Sequence, residues 1–328
     1  MSRSLIVLPD AGPAPFIALL DAAKVSLRIK PHALDHPALL AAVVAAARRG
    51  VSVRVLFNRA GHGGVPDQAA ARSALQAGGA EVADAGKKLS VVHEKSLVVD
   101  DHTALVQSLD WSAAGFAEAR DHAVATTHRH EVEEIAACFD ADWQRKHFKL
   151  HAPPRLIWSP LNARARVASF IDTARHSLGL QSERFHDPVI IERLVRARQR
   201  GVKLHLMAHA VHRMQGKELV TDVSGLRLLS DLGVPVHRLG GLRLHANVLL
   251  ADGERAIVGS VSLGTASLDQ RRELSIEVDD REIVEALCAT LHHDWKASHP
   301  IDLSDAGMLR ELRQHGRAAD AVQLEPQS

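Results

Sequence analysis

Two short segments of the 328-residue chain share the frame H-x-[K/N]-x-x-x-x-D, at residues 93–100 and 245–252. An imidazole can act as a nucleophile or move a proton, and a lysine ammonium can hold an anionic group beside it. If the first segment is a strand, His93 and Lys95 lie on one face, because strand side chains alternate. The candidate catalytic residues from these segments are His93, Lys95, Asp100, His245 and Asp252. The two aspartates also stand where strands end in turns, and aspartate is common there for local reasons.

Both segments are followed by a serine and an acid at identical spacings. Ser108 and Ser260 come fifteen residues after their histidines, and Asp121 and Glu273 come twenty-eight residues after them. A carboxylate near an imidazole can hold one tautomer and stabilise the charged form. We therefore expect Asp121 and Glu273 to orient the histidines, with a plain salt bridge to a neighbouring arginine as the alternative.

The chain is an internal duplication. Residues 20–27 resemble residues 171–178 at an offset of 151, and from His93 onward the offset is 152. One offset held over separated blocks indicates a repeated structural unit. A Pro-Pro connector that cannot continue a helix separates the copies. The predicted divisions are a first copy at 1–150, a second copy at 155–298, and a C-terminal helix and tail at 299–328.

Each copy alternates helix-like and strand-like segments, which predicts an α/β fold with a mixed sheet flanked by helices in each half. In the first copy the predicted helices are 38–49 and 131–146, and the predicted strands are 51–57, 97–99 and 104–106. In the second copy the predicted helices are 188–200 and 282–295, and the predicted strands are 202–207, 248–250 and 256–258.

Composition narrows the functional classes. The 40 Lys and Arg against 39 Asp and Glu leave a formal net charge of +1, and aromatic residues make up only 3%. This balance disfavours bulk electrostatic binding to nucleic acid and a stacking platform for single strands. The longest apolar run, at residues 38–47, is too short to span a bilayer. We expect a cytoplasmic protein that is at most peripheral to a membrane.

The duplicated segments resemble the phospholipase D superfamily, whose signature is a repeated H-x-K-x(4)-D motif followed by a G-S-x-N segment and a downstream acid. The first motif alone would be a weak pattern, but its recurrence with matching serine and acid spacings makes the resemblance specific. The segments 92–111 and 271–274 are most similar to bacterial phospholipase D-like and cardiolipin synthase-like proteins.

The resemblance implies two halves packed around one shared cleft where both histidines meet. One histidine would attack the phosphorus of a phosphodiester to form a phosphohistidine, and the other would protonate the leaving alcohol, with no metal or cofactor. His93 is expected to be the nucleophile because its motif is complete, and His245 the general acid, with the opposite order left open. The implied activity is a phosphodiesterase or phosphatidyltransferase acting on phospholipids.

Several positions depart from the family pattern. Asn247 stands in place of the second lysine, and Asp110 and Ser262 stand where the family usually has asparagine. Losing one charge-assisted phosphate contact costs about 2–4 kcal/mol in the transition state. Two outcomes follow from these departures: an impaired or specialised enzyme, or a non-catalytic protein that binds phosphodiesters. A nuclease of the same superfamily, with a local basic cleft, is a separate alternative.

The substrate side of the cleft is expected to include polar side chains near both histidines and one tryptophan beside the first serine loop. The glycine-rich stretch at 61–64 lacks the frame of a phosphate-binding loop and is expected to be a loop near the cleft mouth. The expected substrate-binding residues are Ser108, Asp110, Trp111, Asn247, Ser260 and Ser262.

Overall fold

Strands and helices alternate along the described chain, which comprises residues 2–58, 67–86, 90–150, 156–214 and 216–317 of a computed structural model. The glycine-rich stretch at 61–64, most of the connector between the copies and the end of the C-terminal tail lie outside these residues. Within the described ranges, no helix combines the length and the apolar character needed to cross a bilayer.

The elements follow the order predicted from the sequence. The strands are β1 (Arg3–Leu8), β2 (Ser26–Lys30), β3 (Ser52–Phe57), β4 (Glu81–Asp84), β5 (Ser96–Val99), β6 (Thr103–Gln107), β7 (Ala119–Thr126), β8 (Leu156–Ser159), β9 (Ser177–Gln181), β10 (Lys203–Ala208), β11 (Val236–Arg238), β12 (Arg243–Leu244), β13 (Asn247–Ala251), β14 (Arg255–Gly259), β15 (Glu273–Val278) and β16 (His299–Pro300). The helices are α1 (Ala14–Ala22), α2 (Pro37–Arg48), α3 (Ala69–Ala77), α4 (Ala113–Glu118), α5 (Arg129–Trp143), α6 (Ala163–Asp172), α7 (Pro188–Gln199), α8 (Gly216–Asp231), α9 (Thr265–Asp269), α10 (Arg281–Lys296) and α11 (Asp305–Gln314).

The strands form two mixed sheets, one in each copy. The first has the order β1-β7-β6-β5-β2-β3-β4, and the second has the order β16-β11-β10-β9-β13-β14-β15-β8. In the first sheet β2, β3 and β4 pair in parallel, whereas β5, β6 and β7 pair antiparallel. Helices flank both sheets, so the predicted α/β fold of two homologous halves is confirmed. The domain boundaries stay a prediction.

Helix α2 illustrates how local sequence produces these elements. Pro37 occupies its first position, where a missing N–H has no intrahelical partner to lose. Leu39, Val43 and Ala46 recur at helical spacing and are buried against the sheet. The helix ends before Gly50, whose φ of +91° is easily reached only by glycine.

The two copies share a hydrophobic core. One buried cluster combines Val98 and Ile135 of the first copy with Val248 and Leu274 of the second. Two further clusters, one in each copy, lie between each sheet and its outer helices. Strand β12 of the second copy also pairs in parallel with β7 of the first. Separating the copies would expose the shared apolar surface to water, at about 25 cal/mol per Å².

Two buried ion pairs cross between the copies and are related by the repeat. The Nε of Arg272 donates to Oδ2 of Asp142 at 3.0 Å, and Nη2 of Arg120 donates to Oδ1 of Asp294 at 3.0 Å. None of the four residues is more than 8% exposed. In each pair, the arginine of one copy neutralises the aspartate of the other.

Arg120→Met is expected to lower the free energy of unfolding by about 3–5 kcal/mol, because the loss of one partner leaves the other charge buried. Among the described residues, Asp294 would keep the Gln181 amide as its side-chain partner. Chemical denaturation followed by circular dichroism and by tryptophan fluorescence should give one coincident transition, shifted to lower denaturant.

The matched control is Arg129→Met, because Arg129 forms an exposed helical pair with Glu133 and such pairs contribute little. Its denaturation midpoint should equal that of the parent protein. An unchanged midpoint for Arg120→Met, or two separate transitions in the parent protein, would contradict the shared core.

Candidate active site

His93 lies three residues before β5, and an acid from the other copy orients its imidazole. Nδ1 of His93 lies 3.0 Å from Oε2 of Glu273. The backbone N–H groups of His93 and Glu94 both donate to the carbonyl oxygen of Arg272, at 2.9 and 2.7 Å. The expectation that His93 and Lys95 lie within a strand is wrong, because β5 begins one residue after Lys95. The backbone of the second copy holds this segment instead.

His245 is held in the corresponding way by the first copy. Nδ1 of His245 lies 3.0 and 2.9 Å from the two carboxylate oxygens of Asp121. The backbone N–H groups of His245 and Ala246 donate to the carbonyl oxygen of Arg120, at 3.2 and 2.9 Å. A carboxylate on Nδ1 fixes the ring and leaves Nε2 for chemistry. Each histidine therefore takes its orienting acid from the opposite copy.

Lys95 and Asp110 connect the two histidines within one site. Nζ of Lys95 lies 3.1 Å from Nε2 of His93 and 3.6 Å from Oδ1 of Asp110. The other oxygen of Asp110 lies 3.9 Å from Nε2 of His245. Asp110 thus stands between the cation of the first motif and the imidazole of the second.

Glu183 and His32 belong to the site although the motifs do not include them. Oε1 of Glu183 lies 3.7 Å from Nε2 of His245. The rings of His32 and His93 meet edge to face, with centroids 4.6 Å apart. His32 and Glu183 are equivalent at the repeat offset of 151. The repeat offset pairs the two positions, but their different residue types gave no signal in the sequence that either belongs to the site.

Asn58 and His209 are a second equivalent pair that the motifs do not include. Nδ2 of Asn58 donates to the carbonyl oxygen of Val92 at 2.6 Å. Nε2 of His209 lies 2.6 Å from the carbonyl oxygen of Leu244. These carbonyls belong to the residues just before the two site histidines, so both side chains position the motif backbone.

The two site histidines carry different charges. Burial and the Lys95 ammonium hold the pKa of His93 well below its usual value. Burial alone would also lower the pKa of His245, but the carboxylates of Asp121 and Glu183 outweigh it and raise this pKa to about 9. At neutral pH His93 is a neutral imidazole, suited to attack an electrophile, and His245 is an imidazolium, suited to donate a proton.

The site also contains acids that a phosphate-binding cleft does not need. Burial would raise the pKa of Asp110, but the Lys95 ammonium and the neighbouring histidines together outweigh it and lower this pKa. Burial would likewise raise the pKa of Glu183, but His245, His209 and the other nearby cationic groups together outweigh burial and lower the pKa of Glu183. Burial raises the pKa of Glu273 to about 7. An anionic substrate would therefore enter beside two ionised carboxylates, those of Asp110 and Glu183.

Ser108 and Ser260 are buried beside the two orienting acids. Oγ of Ser108 donates to Oδ1 of Asp121 at 2.6 Å. Oγ of Ser260 accepts from the backbone N–H of Leu274 at 3.1 Å, next to Glu273 in the chain. Both serines are at most 2% exposed. Their expected role in substrate binding is corrected to positioning of the two orienting acids.

Asn247 holds the segment that carries Glu183. Its Oδ1 accepts from Oγ of Ser182 at 2.8 Å and from the backbone N–H of Glu183 at 3.3 Å. The side chain is buried at the start of β13. The amide oxygen at the position of the second lysine is thus bound within the protein, and it keeps the Glu183 carboxylate near His245.

Asp100 and Asp252 are not catalytic. The carboxylate of Asp100 accepts three backbone N–H bonds from residues 24–26, at 2.7–2.9 Å. The carboxylate of Asp252 accepts three from residues 175–177, also at 2.7–2.9 Å. Both residues lie in turns at the ends of β5 and β13 that lie opposite the histidines. The motif aspartates therefore close the turns, and their expected catalytic role is wrong.

Trp111 and Ser262 do not line a substrate groove either. Trp111 is 1% exposed, contacts Phe16 edge to face and donates from Nε1 to Gln107. Its indole belongs to the core of the first copy. Ser262 is buried, and its backbone N–H donates to Oγ of Ser267, which in turn contacts Glu273.

A group of three potential metal ligands lies outside the site. Glu94, Cys138 and Asp142 bring their ligand atoms within 4.8 Å of one another among the described residues. Nζ of Lys30 lies between them, 2.7 Å from Glu94 and 2.8 Å from Asp142. Burial would lower the pKa of Lys30, but Asp142, Cys138 and Glu94 together outweigh burial and raise it, so an ammonium already neutralises the group.

Comparisons with known proteins agree with the duplication. A family model described as the PLD-like domain of cardiolipin synthase matches residues 16–143 and again residues 167–295. Proteins named phospholipase D from Rickettsia felis and Rickettsia conorii are 27% and 26% identical over 120 residues, or 37% of this chain. The match covers 58% of the length of each relative.

Two solved structures share the fold of nearly the whole chain. Phosphatidylserine synthase from Haemophilus influenzae superposes with a TM-score of 0.71 and 11% identity, covering 98% of this chain and 94% of that one. Polyphosphate kinase from Porphyromonas gingivalis superposes with a TM-score of 0.72 and 16% identity, covering 96% of this chain and 53% of that one. At such identities the likeness concerns the fold alone.

Asp121→Asn is expected to lower the pKa of His245, because burial would then be opposed by one carboxylate fewer. A histidine NMR titration should place the parent midpoint near pH 9 and the variant midpoint at lower pH. Glu273→Gln is the matched control, since it removes the acid that contacts His93 and should leave the His245 midpoint in place. A His245 midpoint that is the same with and without Asp121 would contradict the exchanged pairing.

Proposed function

The chain belongs to the PLD-like domain family of the cardiolipin synthase type, and on this premise we propose that it is a metal-independent phosphodiesterase or phosphatidyltransferase that acts on phospholipids through a phosphohistidine. The observation that carries the proposal is the arrangement of the two histidines in one site: each has an acid at Nδ1, and the Lys95 ammonium lies beside His93. Burial and Lys95 lower the pKa of His93, whereas Asp121 and Glu183 raise that of His245, so the first favours a nucleophile and the second an acid. Cleavage by covalent transfer needs such a pair, a free nucleophile and a ready acid.

In the proposed first step, Nε2 of His93 attacks the phosphorus while Glu273 holds the Nδ1 side of the ring. The bond from phosphorus to the alcohol oxygen breaks, and the leaving oxygen takes the proton from Nε2 of His245. The Lys95 ammonium, 3.1 Å from Nε2 of His93, lies where it would stabilise charge on the phosphoryl oxygens.

In the proposed second step the roles reverse. His245, now neutral, takes a proton from water or from a second alcohol, whose oxygen attacks the phosphorus. The phosphorus–nitrogen bond breaks and returns His93 to its neutral form. Water gives hydrolysis and an alcohol gives transfer, and Asp121 stabilises the imidazolium of His245 at the start and the end of the cycle.

Phospholipid as the substrate is supported by the names of the curated relatives, both called phospholipase D. The site charge supports a substrate with few negative charges: Asp110 and Glu183 repel a polyanion such as a nucleic acid. Access to lipid would take place by peripheral contact with a membrane. The nuclease and the non-catalytic binding protein are the competing outcomes of the tests below.

His93→Ala and His245→Ala are each expected to reduce turnover of phosphatidylcholine, phosphatidylglycerol and bis(p-nitrophenyl) phosphate by about 10²–10⁴-fold. His130→Ala is the matched control, because the His130 side chain is 99% exposed on α5. Chelation with EDTA should leave turnover unchanged. In the parent protein kcat/KM should fall as pH rises through about 9, where His245 loses its proton.

Two outcomes of these assays would favour one of the competing functions. Cleavage of DNA in EDTA with no cleavage of lipid would replace the proposal with a nuclease. If the parent protein binds a phosphodiester without turning it over, and His93→Ala loses none of this binding, the proposed enzyme would be replaced with a binding protein.

Asp110→Asn is expected to lower KM for an anionic phosphodiester by about tenfold, or ~1.4 kcal/mol. The Asp110 carboxylate, 3.6 Å from Nζ of Lys95, competes with the substrate phosphate for the ammonium. Asp101→Asn is the matched control at an exposed position of the first copy. A raised KM in Asp110→Asn would mean that the carboxylate helps to hold the substrate.

A further inference from the structure

A cavity of about 340 Å³ lies in the second copy between the sheet and helix α10. Its walls are mainly apolar and come from β9, β10, β13 and α10. They include Met207, Leu250, Leu291 and Trp295, together with the imidazoles of His205 and His292. This volume is within the range of small-molecule sites, which are commonly apolar with a few polar groups.

The cavity lies away from the proposed catalytic site. Strand β13 begins with Asn247, which holds the segment carrying Glu183 beside His245, and ends at Ala251. Asp252, at the far end of this strand, is among the cavity residues. The cavity residue of β13 nearest to Asn247 is Leu250, three residues or about 10 Å along the strand.

The first copy shows what fills the equivalent space there. Arg28 on β2 pairs with Asp101 and Asp140. Arg54 on β3 also pairs with Asp140. Its guanidinium lies over the rings of Phe139 and Trp143, with centroids 5.4 and 5.6 Å away. Two arginines and two aspartates thus close the space between the first sheet and α5.

The second copy lacks this charged group, although the surrounding strands and helix are the same. At the equivalent positions of the second copy, smaller or uncharged residues stand in place of the two arginines and two aspartates. These are Gly179 for Arg28, His205 for Arg54, Gly253 for Asp101 and His292 for Asp140. Strand pairing gives the same alignment, because Arg28 lies opposite Val98 and Arg54, and Gly179 lies opposite Leu250 and His205. Trp295 is retained from Trp143. Shortening the arginine to glycine leaves the space empty between the sheet and the retained tryptophan.

The groups that remain do not favour a charged ligand. Of the lining residues that the structure describes, only Asp252 carries a carboxylate, and three backbone N–H groups already bind it. Burial, with a contribution from Lys203, lowers the pKa of His205, which keeps this ring neutral at pH 7. The indole of Trp295 is in edge contact with His205 and stacks on His237, which leaves flat and polarizable walls.

We propose that this cavity is a second binding site, which takes an uncharged, mainly apolar ring compound that carries one hydrogen-bonding group. The ring would lie among Met207, Leu250, Leu291 and Trp295, and the polar group would meet an imidazole of His205 or His292. Apolar cavities of about 150 Å³ already hold benzene-sized molecules. The proposal does not depend on the phosphodiesterase activity.

The test uses three probes of one size and shape: benzyl alcohol, the benzylammonium ion and benzoate. Ligand-observed NMR on the full chain should detect binding of benzyl alcohol, with affinity for the cation and the anion weaker by about tenfold or more. Equal binding of all three probes, or no binding of benzyl alcohol, would overturn the proposal.

Gly179→Met and Gly179→Ala form a matched pair of variants. A Cβ at this glycine would meet Cδ2 of Leu291 at 3.3 Å, so a methionine side chain would extend into the cavity while an alanine would leave most of it open. Benzyl alcohol binding should be lost in Gly179→Met and kept in Gly179→Ala. Equal binding in a folded Gly179→Met protein would place the probe elsewhere.

A second measurement needs no variant. Cys288 lines the cavity and is partly exposed, whereas Cys138 is buried. Benzyl alcohol should slow the alkylation of Cys288, and the benzylammonium ion should not. An alkylation rate of Cys288 that is unaffected by benzyl alcohol at concentrations that saturate the NMR signal would overturn the placement of the site.

Discussion

The exchange of partners between the two copies is the constraint on which the site depends. Each histidine has its backbone bound by an arginine carbonyl of the other copy and its imidazole bound by an acid of the other copy. The same arginines, Arg120 and Arg272, use their side chains to neutralise Asp294 and Asp142 across the interface. Each of these arginines thus joins the docking of the copies to the placement of a site histidine, and neither copy contains both a histidine and the acid that orients it.

The two copies place their histidines in the same way, but different residues surround the two rings. Lys95 on one side corresponds to Asn247 on the other, and His32 corresponds to Glu183. The ammonium helps to keep His93 neutral, and the added carboxylate helps to keep His245 protonated. A second lysine next to His245 would oppose the effect of Asp121 on its pKa. In the proposed mechanism, an asparagine at this position would weaken the hold on phosphate but would keep the nucleophile and the acid in different protonation states.

The parts that could be predicted from the sequence are those set by local periodicity and by the repeat. Alternating strand and helix patterns predicted the two sheets, and the shared offset predicted which histidines and acids correspond. The exchange of acids could not be predicted, because spacing along one copy says nothing about which copy supplies a partner. Asp100 and Asp252 were misassigned because a motif position does not show where a carboxylate points, and three backbone N–H groups bind each of them.

Burial explains the remaining differences between expectation and structure. Trp111 follows a site residue in the chain, but Asp110 faces the site while the next side chain faces the core. Asp110 and Glu183 are costly so close to a phosphate site unless cations offset them, and Lys95 and His245 do so when the site is empty. Binding a phosphodiester then exchanges one set of anions for another around the same cations. If the site binds phosphodiesters as proposed, this exchange would make its affinity sensitive to the charge of the substrate and would favour a monoanionic diester over a polyanion.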